Sequence, residues 1–173
     1  MSPQNSLGGV AIRPLRPDEW KAFCALRLKA LTTDPGNFFR TEAEERGRPE
    51  ADWREMLESD DGVVFGLFDG QALIGITAVY VDRAIAARDT AGLGMTWVEP
   101  AYRGRGLSAL IYAVRISWAR GKHLARIAVS HRDGNEPSRR AMLAHGFRQT
   151  GATAHSWPDG AVMHNISYEL PLD

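Results

Sequence analysis

The sequence is poor in the features that mark secreted, membrane-spanning and nucleic-acid-binding proteins. It has one cysteine, Cys24, so no disulfide can form within the chain and a reducing, cytoplasmic compartment is expected. Its 21 Lys and Arg equal its 21 Asp and Glu, whereas a general nucleic-acid binder needs a basic excess to replace the counterions of phosphates. The longest apolar run, from Ala72 to Val81, is too short to span a bilayer, and we expect no signal peptide. Neither nucleic acid nor a membrane is an expected partner.

What the chain does contain is the composition of one ordinary globular domain. Its 173 residues are 44% apolar and 24% charged, which suffices for one buried core. Segments with the alternation of strands and segments with helical periodicity follow one another, which predicts a mixed α/β fold. We expect residues 1–9 to be a flexible N-terminus and residues 10–173 to form a single domain that begins with a strand at Val10.

The strand predicted over Ala91–Val98 has one bulky and one nearly bare face. Its large residues alternate with its small ones at a period of two; the large ones are Leu93, Met95 and Trp97, and the small ones are Gly92, Gly94 and Thr96. Glycines inside a strand often mark a close approach by a ligand or by another part of the backbone. The bare face therefore predicts either a bound ligand or a closely packed helix.

Residues 98–108 join this strand to a predicted helix and have the composition of an anion-binding loop. Gly104 and Gly106 let the backbone approach a ligand and adopt positive φ, while Arg103 and Arg105 add charge. A helix N-terminus presents unpaired N–H groups and a positive dipole end. The loop has neither the Gly-Lys-Ser/Thr of a nucleotide P-loop nor the third glycine of a Rossmann fold. A diphosphate cradle is the favoured interpretation, and a simple corner in the chain is the alternative.

This loop and a second motif resemble those of the GNAT (GCN5-related N-acetyltransferase) superfamily. In the first motif, Arg-x-x-Gly-x-Gly/Ala after a Val-x-Pro strand end, the matching residues are Val98, Pro100, Arg103 and Gly106, with Ser108 at the last position. In the second motif the matching residues are Asn135, Ser138, Gly146 and Phe147. Ala141 and Met142 stand where the family has Leu-Tyr. The order of elements matches over nearly the whole chain.

The resemblance implies a GNAT-like fold, with a central mixed sheet of about seven strands flanked by helices, and the use of acetyl-CoA as co-substrate without a metal. It implies that strands 91–98 and 126–130 splay apart and that pantetheine lies between them. The implied cofactor-binding residues are Val98, Arg103, Gly104, Arg105, Gly106, Leu107, Ser108, Asn135 and Ser138. A homodimer is expected on the same ground.

The expected reaction is transfer of an acetyl group to a primary amine, which requires a neutral amine and a leaving thiolate. By resemblance, an acid at the start of the strand that leads into the loop is the candidate base, which makes Asp89 the first choice and Glu99, at the other end, the second. His131 and His164 are weaker candidates. Solvated surface carboxylates are the alternative interpretation of both acids.

The family's usual general acid is the tyrosine at the position that Met142 occupies here, and methionine cannot donate a proton. Tyr112 or Tyr168 is a possible substitute. Direct transfer in a ternary complex is the leading hypothesis, and a covalent acyl carrier at Cys24 is its rival. A non-catalytic acyl-CoA sensor and a simple interaction domain are the alternatives to an enzyme. The acceptor, a small-molecule amine or a peptide N-terminus, should meet Phe38, Phe39 and residues 82–89 and 157–160.

Overall fold

The computed structural model describes residues 5–85 and 88–172, which build one mixed β-sheet with helices on both faces. The strands are β1 (Ser6–Leu7), β2 (Val10–Pro14), β3 (Gly62–Asp69), β4 (Ala72–Val81), β5 (Thr90–Val98), β6 (Arg126–Arg132), β7 (Arg148–Ser156) and β8 (Val162–Pro171). Their order across the sheet is β1-β2-β3-β4-β5-β6-β8-β7, and β5 and β6 form its parallel pair. The predicted fold class is confirmed, with eight strands where about seven were expected.

The sheet begins before the residue that sequence patterning indicated. Ser6 pairs with Ala11 and Leu7 with Val10, so a short hairpin strand precedes β2. A two-residue strand carries too little alternation to be recognised in the sequence. Residues 1–4 of the expected flexible N-terminus, and residues 86–87 of the predicted loop 82–89, lie outside the described residues.

The helices are α1 (Trp20–Thr33), α2 (Glu42–Arg46), α3 (Glu50–Glu58), α4 (Ser108–Gly121) and α5 (Glu136–Ala144). Asp18 lies in a 3-10 turn that leads into α1. The short helix α2 was missed. Its signal was a capping box: Thr41 Oγ1 accepts the Glu44 N–H at 3.2 Å, and the Glu44 carboxylate accepts the Thr41 N–H at 2.6 Å. No helix in the described ranges is long and apolar enough to cross a bilayer.

Two hydrophobic cores lie on opposite faces of the sheet. Helices α1 and α3 cover one face through side chains such as Phe23 and Trp53, and α4 and α5 cover the other through side chains such as Ile111 and Met142.

Strand β5 contributes to both cores because a bulge reverses its faces. Ile76 pairs with Trp97 and Ala78 with Gly94, so two residues of β5 oppose one residue of β4. Met95 takes up the extra residue with φ of +53°, a conformation that non-glycine residues rarely adopt. The prediction that one face holds all three bulky side chains is therefore wrong: Leu93 packs on the α4 side, and Met95 and Trp97 pack on the α1 side.

The two parallel strands β5 and β6 pair only at their beginnings. The paired residues are Thr90, Ala91 and Gly92 with Arg126, Ile127 and Ala128. Beyond Ala128, strand β6 continues its pairing with β8 as far as Arg132, while β5 continues along β4 to Val98. The splay expected between these strands is present, and a cleft opens where the pairing stops.

Candidate active site

The cleft between β5 and β6 has a volume of about 1050 Å³, at the upper end of the range for ligand pockets. Its walls come from both sides of the sheet. Helix α4 contributes Ser108, Ile111 and Arg115, whereas the segment after α1 contributes Phe38 and Phe39. A ligand in this cleft would therefore pass from the α4 side of the sheet to the α1 side.

The glycines of the loop before α4 have the backbone conformation that an anion cradle needs. Gly104 has φ of +74° and Gly106 has φ of +76°, both in the left-handed region. A Cβ on Gly104 would have no described heavy atom within 4 Å, so open space faces this residue. The loop leads into the N-terminus of a 14-residue helix, where the first N–H groups lack intrahelical partners. These features favour binding of a phosphate over a simple change of chain direction.

Both arginines of the loop are held by neighbouring groups. Arg103 donates from Nε to the Val98 carbonyl at 2.9 Å and from Nη2 to Asp34 at 2.6 Å. Trp97 Nε1 also donates to Asp34, at 2.7 Å. Burial acts to raise the pKa of Asp34, but the hydrogen bonds from Arg103 and Trp97 outweigh it and hold the pKa below its usual value. Arg103 thus ties the loop to the end of α1, and its charge is compensated.

Arg105 donates to the Ala101 carbonyl at 2.9 Å and lies over the Tyr102 ring, 4.7 Å from its centroid. Its hydrogen bond goes to a neutral acceptor, so its positive charge stays at the loop. Of the two arginines predicted to attract an anion, Arg105 is the better placed.

Five of the predicted cofactor-binding residues line the cleft: Val98, Arg103, Ser108, Asn135 and Ser138. The other four, Gly104, Arg105, Gly106 and Leu107, form the loop that leads from the cleft into α4. Asn135 caps α5, because its side chain accepts the Ser138 N–H at 3.3 Å. Its amide also reaches Asn37 at 3.4 Å, which links the cofactor motif to the segment after α1.

The two acids predicted as candidate bases lie away from the cleft. Asp89 accepts a hydrogen bond from Thr90 at 2.8 Å and lies 3.4 Å from Arg126, at the end where β5 and β6 are still paired. The hydrogen bond from Thr90 and the charge of Arg126 lower the pKa of Asp89 despite some desolvation, which weakens it as a base. Glu99 is ion-paired with Lys29 beyond the end of β5. Neither carboxylate is among the described groups that line the cleft.

A histidine–tyrosine pair does line the cleft, although His131 was a weak candidate in the sequence. His131 Nδ1 lies 2.7 Å from the Arg132 carbonyl, so this nitrogen carries the proton. His131 Nε2 is consequently the acceptor, and it lies 3.2 Å from the Tyr168 hydroxyl. The pairing joins β6 to β8 and is not visible in the sequence, where the two residues are 37 positions apart.

The two glycines of the predicted bare face are covered by a side chain of the sheet itself. A Cβ on Gly92 would lie 2.4 Å from the Tyr80 ring, and one on Gly94 would lie 3.5 Å from it. Neither a helix nor a ligand is needed to explain these glycines. Thr96, the third small residue, lies on the opposite side because of the bulge, and its hydroxyl is 2.8 Å from that of Thr77.

The one parallel pair of strands among the described residues splays beside a glycine loop, and this loop leads into a helix. The motifs predicted this arrangement for the acetyltransferase class. Residues 25–147 match the family model of the Acetyltransferase (GNAT) family, and the chain belongs to this family. Comparison with curated proteins finds no match.

Solved structures share the fold over nearly the full length at low sequence identity. A GCN5-related N-acetyltransferase from Kribbella flavida aligns with a TM-score of 0.80 and 17% identity, over 96% of this chain and 100% of its own. The yncA protein of Salmonella typhimurium, solved with its cofactor acetyl-CoA, aligns with a TM-score of 0.79 and 19% identity, over 95% and 94%. A ribosomal-protein-alanine N-acetyltransferase from Brucella melitensis gives 0.79 and 19%, over 93% and 99%.

Proposed function

We propose that the protein transfers the acetyl group of acetyl-CoA to a primary amine by direct attack in a ternary complex. The observation that carries the proposal is the cleft between β5 and β6, which opens beside the left-handed glycines of the loop before α4. Family membership supports the transferase chemistry, and the yncA structure contains acetyl-CoA.

The diphosphate of coenzyme A fits the loop between Gly104 and Ser108. Backbone N–H groups at the start of α4 supply hydrogen bonds, and Arg105 supplies charge. Pantetheine carries two amides, which can pair with strand backbone. After Gly92 the edge of β5 that faces β6 has no described strand partner, so its backbone N–H and C=O groups are available for that pairing.

The reaction forms one bond and breaks one. The amine nitrogen attacks the thioester carbonyl carbon, the C–S bond breaks, the nitrogen releases one proton, and the sulfur of coenzyme A gains one from a separate donor. Most of the rate then comes from positioning and from polarisation of the carbonyl by a backbone N–H. Because Asp89 and Glu99 lie away from the cleft, we assign uptake of the amine proton to water in the open cleft.

Tyr168 is the proposed proton donor to the leaving sulfur. Met142 is buried and cannot fill this role, whereas Tyr168 lines the cleft with its hydroxyl against His131 Nε2. Tyr112 also lines the cleft, but its ring is stacked on His145 at 4.3 Å and lies under the Arg115 guanidinium. His131 then positions the Tyr168 hydroxyl by accepting its hydrogen bond, and water returns the proton to Tyr168.

The acceptor is proposed to enter from the α1 side, as a small-molecule amine or a peptide N-terminus. Two of the segments expected to meet it come together there: Phe39 stacks on Trp157 with ring centroids 4.9 Å apart. Phe39 is 51% exposed, so an aromatic surface faces an incoming amine. An α-amino group, with a pKa of about 7.7–8.0, needs less help to lose its proton than a lysine side chain does.

Binding and turnover test the proposal together. Titration calorimetry should show that acetyl-CoA and coenzyme A bind the wild type and that ATP binds far more weakly. An amine panel assayed by thiol release should then give turnover, which Tyr168→Phe lowers in kcat with little change in the KM for acetyl-CoA. Cys24→Ala should retain full turnover, because Cys24 packs beside the α1 core and is not among the described cleft residues. Tight binding without turnover on any amine would favour the acyl-CoA sensor, and absence of binding would refute both.

A further inference from the structure

Two arginines are buried in the described part of the chain, and they differ in how their charge is compensated. Arg27 is 4% exposed and forms a two-armed salt bridge with Glu45, with distances of 2.9 and 3.0 Å. Arg115 is 2% exposed and has only neutral partners. It donates to Thr96 Oγ1 at 3.0 Å and to the Ile111 carbonyl at 3.3 Å, and it lies 4.3 Å from the Tyr112 ring centroid. No described carboxylate forms a salt bridge with it.

This guanidinium is charged and incompletely bonded. Burial lowers the pKa of Arg115 to about 10, so the side chain stays protonated at neutral pH. Of the five N–H groups of an arginine, the Thr96 hydroxyl and the Ile111 carbonyl engage two, and the Tyr112 side chain offers a further neutral acceptor, so the set of partners is incomplete and contains no anion. A buried cation without a counterion is strongly unfavourable, and proteins normally keep one only where an anion completes it.

The position of Arg115 shows which part of a ligand would meet it. Arg115 lines the cleft on the same face of α4 as Ser108 and Ile111. It lies seven residues, or two helical turns, after Ser108, which places it about 10 Å along the helix from the phosphate loop. Its partner Thr96 is next to the bulge of β5 and on the α4 side of the sheet. The acceptor segment with Phe38 and Phe39 is on the α1 side. A charge on the donor, rather than on the acceptor, would reach Arg115.

We propose that Arg115 binds a carboxylate at the end of the donor's acyl chain, an inference that rests on the proposed function. The protein would then bind a short dicarboxylic acyl-CoA, such as malonyl-CoA or succinyl-CoA, more tightly than an uncharged acyl-CoA of similar chain length. The planar guanidinium can hold a carboxylate through two parallel hydrogen bonds. The transfer step is unchanged: nitrogen bonds to the thioester carbon, the C–S bond breaks, nitrogen loses one proton to water while sulfur gains one from Tyr168, and the distal carboxylate takes no part.

Dissociation constants for matched thioesters test this assignment. Succinyl-CoA and butyryl-CoA have acyl chains of similar length and differ in the terminal carboxylate. Titration calorimetry should show that the wild type binds succinyl-CoA at least about tenfold more tightly than butyryl-CoA, the effect of a charge-assisted hydrogen bond. Arg115→Met should abolish this preference and leave the affinity for coenzyme A unchanged, and Arg115→Lys should retain part of it. Arg120→Met, which removes an exposed arginine from the same helix, is the matched control and should behave as wild type.

Equal affinities of the wild type for the two thioesters would overturn the assignment, and this comparison does not depend on any variant folding. A preference that survives in a folded Arg115→Met protein would overturn it as well. Both outcomes leave the proposed acetyltransferase intact as long as coenzyme A binds. If no coenzyme A species binds the wild type, the proposed function itself fails.

Discussion

Replacing Gly104 by alanine tests the phosphate cradle with little other disturbance. The residue has φ of +74°, and an added Cβ would meet no described atom within 4 Å, so the substitution strains the backbone without a clash. The strain of a left-handed alanine is about 1 kcal/mol, which for a chain of this size lowers Tm by about 2–4 °C. In the complex, however, the new methyl group would occupy the space assigned to the diphosphate.

Loss of one amide hydrogen bond to a charged phosphate weakens binding by about 1.5–3 kcal/mol, so we expect Kd for coenzyme A to rise at least tenfold. At a ligand concentration a hundredfold above the wild-type Kd, the stabilisation by ligand then falls from about 2.7 to about 1.4 kcal/mol. Calorimetry measures the Kd for coenzyme A, and the rise of Tm with ligand measures the stabilisation.

Gly160→Ala is the matched control. Gly160 has φ of +83° and equally open surroundings, but it lies in the turn between β7 and β8. It should show the same loss of Tm with no change in Kd. A Gly104→Ala protein that binds coenzyme A as tightly as the wild type would refute the cradle, and so would an equal loss of affinity in the control.

Two further predictions concern stability. Glu45→Gln should destabilise the fold by about 3–5 kcal/mol, because it leaves the Arg27 charge buried without its partner. The double change Arg27→Met, Glu45→Leu should be nearly neutral. Urea unfolding measures the stability of both variants, and an equal loss in the double variant would contradict this reasoning. Glu19 accepts two hydrogen bonds from Arg13 at 2.8 Å, which lower its pKa to about 2. Because the pKa is lower in the folded state than in the unfolded state, this stabilisation is complete above about pH 4.5 and is lost as the pH falls towards 2. Glu19→Gln should therefore cost up to about 1 kcal/mol at pH 7 and nothing at pH 2, and a deficit that persists at the lower pH would show that the cost is not ionic.

The elements of this fold could be predicted where one periodicity persists over a long segment. Strands β5 and β6 appear close to their predicted bounds of 91–98 and 126–130, since the alternation of a strand repeats over several residues. Helix α2 was missed because five residues are too few for periodicity, although Thr41 and Glu44 carry the capping signal. The reversal of faces in β5 was missed because it depends on the positive φ of Met95, and methionine is not a residue type that indicates positive φ in a sequence.

The candidate site was predictable to a different extent in each of its parts. The glycine loop and Asn135 are local, so spacing in the sequence locates them. The tie between Arg103 and Asp34 spans 69 positions, and the pairing of His131 with Tyr168 spans 37, so both depend on the fold. A charge within a helix is normally assigned to the solvent side, which is why Arg115 gave no signal.

The bulge and the splay of β5 together explain how the cleft beside one strand opens to both sides of the sheet. The splay removes β6 from the edge of β5 after Gly92, which frees backbone groups for an extended ligand. The bulge reverses the alternation of side chains along β5, so that Thr96 faces α4 and Trp97 faces α1. Thr96 thereby meets Arg115, and Trp97 meets Asp34, the residue that holds Arg103. The same short segment thus contacts the donor side of the cleft through Thr96 and is tied to the phosphate loop through Trp97, Asp34 and Arg103.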